Sequence, residues 1–233
     1  MKTIGLLGGM SWESTAIYYR LLNEGVRSRL GGLHSAKLAL VSVDFAEIAE
    51  LQHAGDWQGA ARLLAGAARQ LEAAGAQCLV LCTNTMHKLA DEIGAATSIP
   101  LLHIADATGA AIRRAGVSRP ALLATRFTME HDFYRQRLAE RFGIEAVVPD
   151  EAGRAKVHDI IYDELCLGVV KPASKSVYME EIARLRAEEG ADGVIMGCTE
   201  ITMLIGQTDF DIPVFDTTLI HAEAAIAFAL GEA

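Results

Sequence analysis

Two short polar turns in this 233-residue sequence carry residue types able to move a proton, Cys198-Thr199-Glu200 and Thr83-Asn84-Thr85. Cys198 follows Gly197 at the end of an apolar run and is expected to open a helix, where backbone N–H groups and the helix dipole favour a thiolate. A thiolate there is a competent base or nucleophile. The plainer reading of any cysteine is a small buried hydrophobe, and the polar neighbours Thr199 and Glu200 turn the reading towards chemistry. Asn84 and Thr85 bring a carboxamide and a hydroxyl to the start of a helix expected near Met86, a setting that suits a carboxylate. The same two residues would serve as N-caps, and the two uses are compatible. His87, inside that helix, reads as a supporting or surface group rather than a base.

The segment Gly8-Gly9-Met10-Ser11-Trp12-Glu13-Ser14-Thr15 is a glycine-rich passage from a first strand to a first helix. It matches neither GxGxxG nor the Walker pattern, which disfavours a dinucleotide or a nucleoside triphosphate. It would let backbone approach a small carboxylate or amine, or simply make a tight connection. No lysine stands in an apolar setting that suggests a Schiff base, and neither HExxH nor a carboxylate triad is present, so neither a cofactor nor a metal is expected. Cys78, Cys82, Cys166 and Cys198 form no CxxC pair and read as reduced thiols. Cys82 lies one residue before Thr83, and a single step along a strand reverses the facing, so Cys82 reads as structural.

These turns need elements to position them. Short apolar runs read as buried parallel strands over Thr3 to Leu7, Lys37 to Val43, Cys78 to Leu81, Leu101 to Ile104, Ala121 to Ala124, Ala146 to Val148, Val194 to Met196 and Val214 to Phe215. Alanine-rich helical patterns such as Trp57 to Ala74 and Val177 to Glu189 lie between them, which gives an α/β class with parallel sheets covered by helices. In such sheets ligands bind beyond the carboxyl ends of the strands. Writing residues 75–85 above 190–200 aligns a helix end, a strand and a polar turn, and sets Thr83 on Cys198. Residues 99–103 match 212–216 in the same way, and 5–9 match 121–125, which sets Thr125 in the turn equivalent to the glycine-rich one. Three matches in the same order at nearly constant offset argue for a duplicated α/β unit, although buried strands resemble one another in any case. The expected arrangement is two pseudo-symmetric α/β domains, 1–104 with 217–233 and 105–216, with the active site in the cleft between them.

The bulk numbers narrow the partners. Hydrophobic residues make up 51% of the chain but form no run near the ~18 to 20 apolar residues of a membrane span. With 21 basic against 30 acidic residues there is no electrostatic footprint for nucleic acid. No export signal is visible at Met1 to Leu7, so a cytoplasmic protein is expected.

LGGMSWEST at the N-terminus, LCTNTMHK in the first half, MGCTEI in the second, and HIADAT and PVFDTT resemble the aspartate/glutamate racemase family over essentially the whole chain. The resemblance implies a racemase of aspartate, glutamate or broader amino-acid specificity without pyridoxal phosphate or metal, and a homodimer. It implies two residues exchanging roles as base and acid at the substrate's Cα. One is Cys198; the other, a cysteine in the family, is Thr83 here, whose hydroxyl is far less acidic than a thiol. By the same carry-over Met10, Ser11, Asn84, Thr85, Thr125 and Thr199 line the α-amino and α-carboxylate end, and Glu200 joins the binding set. Gln52 and the Cys166-Leu167 pair stand where aspartate-selective members carry an arginine and a lysine, which leaves a neutral substrate open. Two other readings remain, a non-catalytic amino-acid-binding protein and a single-cysteine isomerase or decarboxylase of the same fold.

Overall fold

The apolar runs Ile4–Gly8, Cys78–Leu81, Pro120–Leu123 and Gly193–Met196 become strands that are buried on both faces. In a computed structural model, which describes residues 1–232, the chain divides into two compact units. One comprises residues 1–104 with the segment from His221 onward, the other residues 105–220. The first holds β1 (Ile4–Gly8), α1 (Trp12–Leu30), β2 (Leu38–Ser42), α2 (Phe45–His53), α3 (Trp57–Ala73), β3 (Cys78–Leu81), α4 (Ala90–Ala95) and β4 (Leu101–Leu102), and α5 (Ile104–Arg114) begins at its edge. Its sheet is wholly parallel in the order β2-β1-β3-β4.

Side-chain alternation along β1 and β3 builds the two halves of this unit's core. Leu7, Leu79 and Leu81 pack with Ile48, Leu64 and Leu71, whereas Ile4, Leu6, Cys78, Val80 and Cys82 pack with Tyr18, Leu22 and Ile226. Burying a leucine completely, as at Leu64 and Leu71, contributes about 2 kcal/mol. Asp56 starts α3 by accepting the Gly59 amide at 2.7 Å, in keeping with the helix expected there.

The second unit holds β5 (Pro120–Leu123), α6 (Arg126–Glu130), α7 (Asp132–Phe142), α8 (Glu151–Asp163), α9 (Pro172–Glu189), β6 (Gly193–Met196) and β7 (Val214–Asp216), and α10 (Thr217–Leu230) starts in it. Its sheet is parallel in the order β5-β6-β7. The expected strand at Ala146 to Val148 shrinks to one bridge between Ala121 and Val147, because only Val147 exchanges backbone hydrogen bonds with β5. The strand expected to reach Ile104 stops at Leu102, since Ile104 already begins α5. Counting Val147 beside β5, the three matched segment pairs hold corresponding places in the two sheets, β1 with β5, β3 with β6 and β4 with β7.

Candidate active site

Thr83 and Cys198 both follow the carboxyl end of a central strand. Cys82 makes the last ladder bond of β3, its amide donating to Leu7 O at 2.9 Å, and the Thr83 amide turns back to Leu81 O at 2.8 Å. The helix expected near Met86 is instead a five-residue 3₁₀ segment, Thr85–Leu89, and the Asn84 side chain does not cap it. Asn84, Thr85 and His87 are all buried, so His87 is no surface group. Its Nδ1 lies 2.8 Å from Thr83 O, and its Nε2 accepts the Ile104 amide at 3.1 Å. Cys82 is fully enclosed on the Tyr18 side of the sheet and burial pushes its thiol pKa far up. Cys78 is pushed up to about 12 for the same reason.

At the other turn, Gly197 is required by close packing. A Cβ there would stand 2.8 Å from Ala124 Cβ, while its amide bonds Leu123 O at 2.8 Å. Cys198 then takes extended backbone and is partly buried. Its thiol donates to Glu200 Oε2 at 2.8 Å. Here the sequence reading needs correction, because the thiolate is not favoured in this setting. Burial raises the Cys198 pKa well above the ordinary thiol value, and the neighbouring Glu200 charge and its hydrogen bond to the thiol raise it further. The helix expected after Cys198 is a five-residue 3₁₀ segment, Thr199–Met203, too short for a strong dipole. Glu200 is therefore a thiol partner, a role that sequence reasoning missed. Cys198 is the extended residue before the 3₁₀ turn and Glu200 the second residue within it, so the contact depends on a turn that the sequence reading took for a longer helix.

Other groups gather in the same unit. Cys166, on a 3₁₀ turn at Leu165–Leu167, lies close enough to Cys198 to raise its pKa. The Tyr178 hydroxyl donates to Val157 O at 3.2 Å and is pushed up by burial first, then by Cys198, Cys166, Glu164 and Glu200. Thr199 Oγ1 is 3.2 Å from Thr218 Oγ1, and Thr125 Oγ1 is 3.3 Å from Thr128 Oγ1 at the end of β5. Asp216, the acidic residue of PVFDTT, starts α10 by accepting the Thr218 and Leu219 amides, and burial raises its pKa.

In the first unit, Gly9 has φ +93°, and a Cβ there would stand 2.1 Å from Val43 O. Only glycine fits. Thr15 Oγ1 accepts the Gly9 amide and donates to Ser11 O, both at 2.9 Å, and Ser11 caps α1 through the Ser14 amide. Met10 sits in the apolar core. Gln52 is buried on α2, and its Nε2 has no hydrogen-bond partner among the described residues. Among the described residues no three His, Cys, Asp or Glu side chains are arranged to hold a metal ion, and no helix is long and apolar enough to cross a membrane.

Residues 7–225 match the family model described as Asp/Glu/Hydantoin racemase. The chain belongs to the Asp/Glu/hydantoin racemase family. Among solved structures, this family member is similar to a candidate Asp/Glu racemase from Yersinia pestis, at 56% identity and TM-score 0.93, covering 99% of this chain and 100% of the other. An aspartate racemase homologue from Pyrococcus horikoshii OT3 is 36% identical with TM-score 0.87 over 99% and 100% of the two chains. The broad specificity amino-acid racemase RacX of Bacillus subtilis is 25% identical over 161 residues, 68% of this racemase-family chain and 67% of its own. The two parallel sheets are those of the racemase fold.

Proposed function

We propose that this chain is a cofactor-independent amino-acid racemase, acting on aspartate, glutamate or a broader set of amino acids by removing and returning the Cα proton, with Cys198 and Thr83 on opposite faces of the substrate. The observation that carries the reading is the 2.8 Å bond from the Cys198 thiol to Glu200. A buried thiol is a poor base, and a carboxylate in hydrogen-bond contact gives its proton somewhere to go. Glu200 takes the proton, the resulting thiolate abstracts the Cα proton, and the electron pair left on Cα spreads into the substrate carboxylate. Turn N–H groups and the substrate's own ammonium stabilise that charge. The Thr83 hydroxyl protonates Cα from the other face and inverts the centre, regaining a proton from solvent as Glu200 gives up its own.

Met10, Ser11, Asn84, Thr85, Thr125 and Thr199 serve the α-amino and α-carboxylate end in this reading. Gln52 faces the substrate side chain with a neutral donor, which supports a broader range than acidic amino acids alone. The reading includes a cytoplasmic homodimer. Proton NMR of L- and D-amino acids incubated with the protein in heavy water tests it directly. Cα exchange is expected, undiminished by dialysis against chelator and without added pyridoxal phosphate. A protein that binds amino acids but exchanges none of them is a binder. Activity lost on chelation and restored by metal overturns the mechanism.

A further inference from the structure

His87 is buried, and no step of the proposed racemisation uses it. Its two ring nitrogens have unambiguous roles. A backbone amide only donates, so Nε2, which receives the Ile104 N–H at 3.1 Å, carries no proton. Nδ1 therefore carries the hydrogen and donates to Thr83 O at 2.8 Å. His221 shows the opposite tautomer beside it. Its Nε2 donates to Leu102 O at 2.7 Å, so its Nδ1 accepts the Tyr18 hydroxyl at 2.9 Å. The rings pack with centroids 5.6 Å apart, and His103 lies 4.6 Å from His87 on another side. The Thr83 turn is thus tied to the end of β4 and the start of α5 through one imidazole.

The second half of the repeat lacks this device. Thr202 stands to Cys198 as His87 stands to Thr83, and its hydroxyl donates to Thr199 O at 2.7 Å, one residue beyond the carbonyl that would match. The turn carrying the thiol has a carboxylate partner instead, and the turn carrying the weakly acidic hydroxyl has a clamp. We propose that His87 is a positioning residue for the Thr83 face, its neutral Nδ1–H imidazole holding the Thr83 carbonyl so that the hydroxyl stays in register with the substrate's Cα. This rests on the reading of Thr83 as one of the two acid/base positions.

The test uses substitutions that separate the two bonds. Asn places an amide near Nδ1 and keeps a donor for Thr83 O; Gln reaches the Nε2 position and keeps an acceptor for Ile104. Cα exchange in heavy water is measured for each enantiomer of aspartate, glutamate and alanine, the Thr83 face being the enantiomer whose exchange Thr83→Ala removes. His87→Gln should lower exchange on that face about tenfold or more with KM little changed, since small misplacements of a reacting group are costly. Exchange on the Cys198 face should change less than about threefold, and His87→Asn should stay near the parent on both faces. Equal losses on both faces, or Asn and Gln variants that behave alike, overturn the assignment while leaving the racemase reading intact. A parent protein that exchanges neither enantiomer overturns both.

Discussion

Cys198 and Glu200 share one hydrogen across 2.8 Å, with the thiol as donor and the carboxylate as acceptor. The carboxylate thus has two effects of opposite sense. It opposes ionisation of the thiol through its charge, and it offers the thiol proton a place to go.

Glu200→Gln separates these effects. The neutral amide removes the charge that raises the thiol pKa, so alkylation of Cys198 by iodoacetamide should begin at lower pH than in the parent. Cα exchange near neutral pH should nevertheless fall by roughly 10²-fold, the usual worth of a positioned general base. Cys198→Ala should abolish exchange while circular dichroism and Tm stay close to the parent. If Glu200→Gln lowers neither the alkylation pH nor the exchange rate, the pair has no role in catalysis.

Thr83→Cys supplies a second thiol and should raise racemisation relative to one-sided exchange. In the parent, exchange on the Cys198 face should outrun conversion of one enantiomer into the other, because an unassisted hydroxyl is a poor base. Cys82→Ala should cost roughly 1 to 2 kcal/mol of stability from a small core cavity and leave the ratio of exchange to conversion unchanged. Loss of conversion in Cys82→Ala alone would make Cys82 the second acid/base group and remove Thr83 from that role.

Much of the fold is legible in the sequence because the strands are short apolar runs and the polar turns interrupt them abruptly. The run Cys78–Leu81 is β3 residue for residue, and Cys82 packs in the core on the Tyr18 side of the sheet together with Cys78 and Val80. Propensity says little about how a helix begins, so both polar turns read as opening helices where short 3₁₀ segments stand. Val147 reads as part of a strand because its apolar neighbourhood resembles one, although a single bridge is all it forms. Long-range partners are the least visible. Nothing near His87 in the sequence points to Ile104, because the pairing depends on where β4 ends beside β3.

Gln52→Leu is expected to separate stability from function. A buried donor without a partner is costly, so its removal should leave the unliganded protein as stable as the parent or up to about 1 kcal/mol more stable. If the amide is kept for the substrate side chain, KM should rise several-fold at the same time. Lower stability with unchanged KM would make Gln52 a packing residue.

His221 sets a pH signature on stability. Burial depresses its pKa to about 4 from the ordinary 6.5, so the folded protein keeps it neutral while the unfolded chain takes up a proton across that window. Stability is fully present above about pH 6.5 and is lost as pH falls towards 4, by up to about 3 kcal/mol from this group. Urea unfolding at stepped pH should show a shallower decline between pH 6.5 and 4 in His221→Gln than in the parent. Identical slopes would assign the acid sensitivity elsewhere.

The position of α10 carries a consequence for how the protein is made. Ala222, Ala225, Ile226 and Ala229 complete the apolar layer against Tyr18, Leu22 and Val26, and the Lys2 amide bonds Ala229 O at 2.8 Å. On a ribosome, residues 1–104 emerge first, yet their inner face stays bare until the segment from His221 has been synthesised. The unit begun first is therefore the one finished last. An early stop before His221 would strand it as a sticky intermediate.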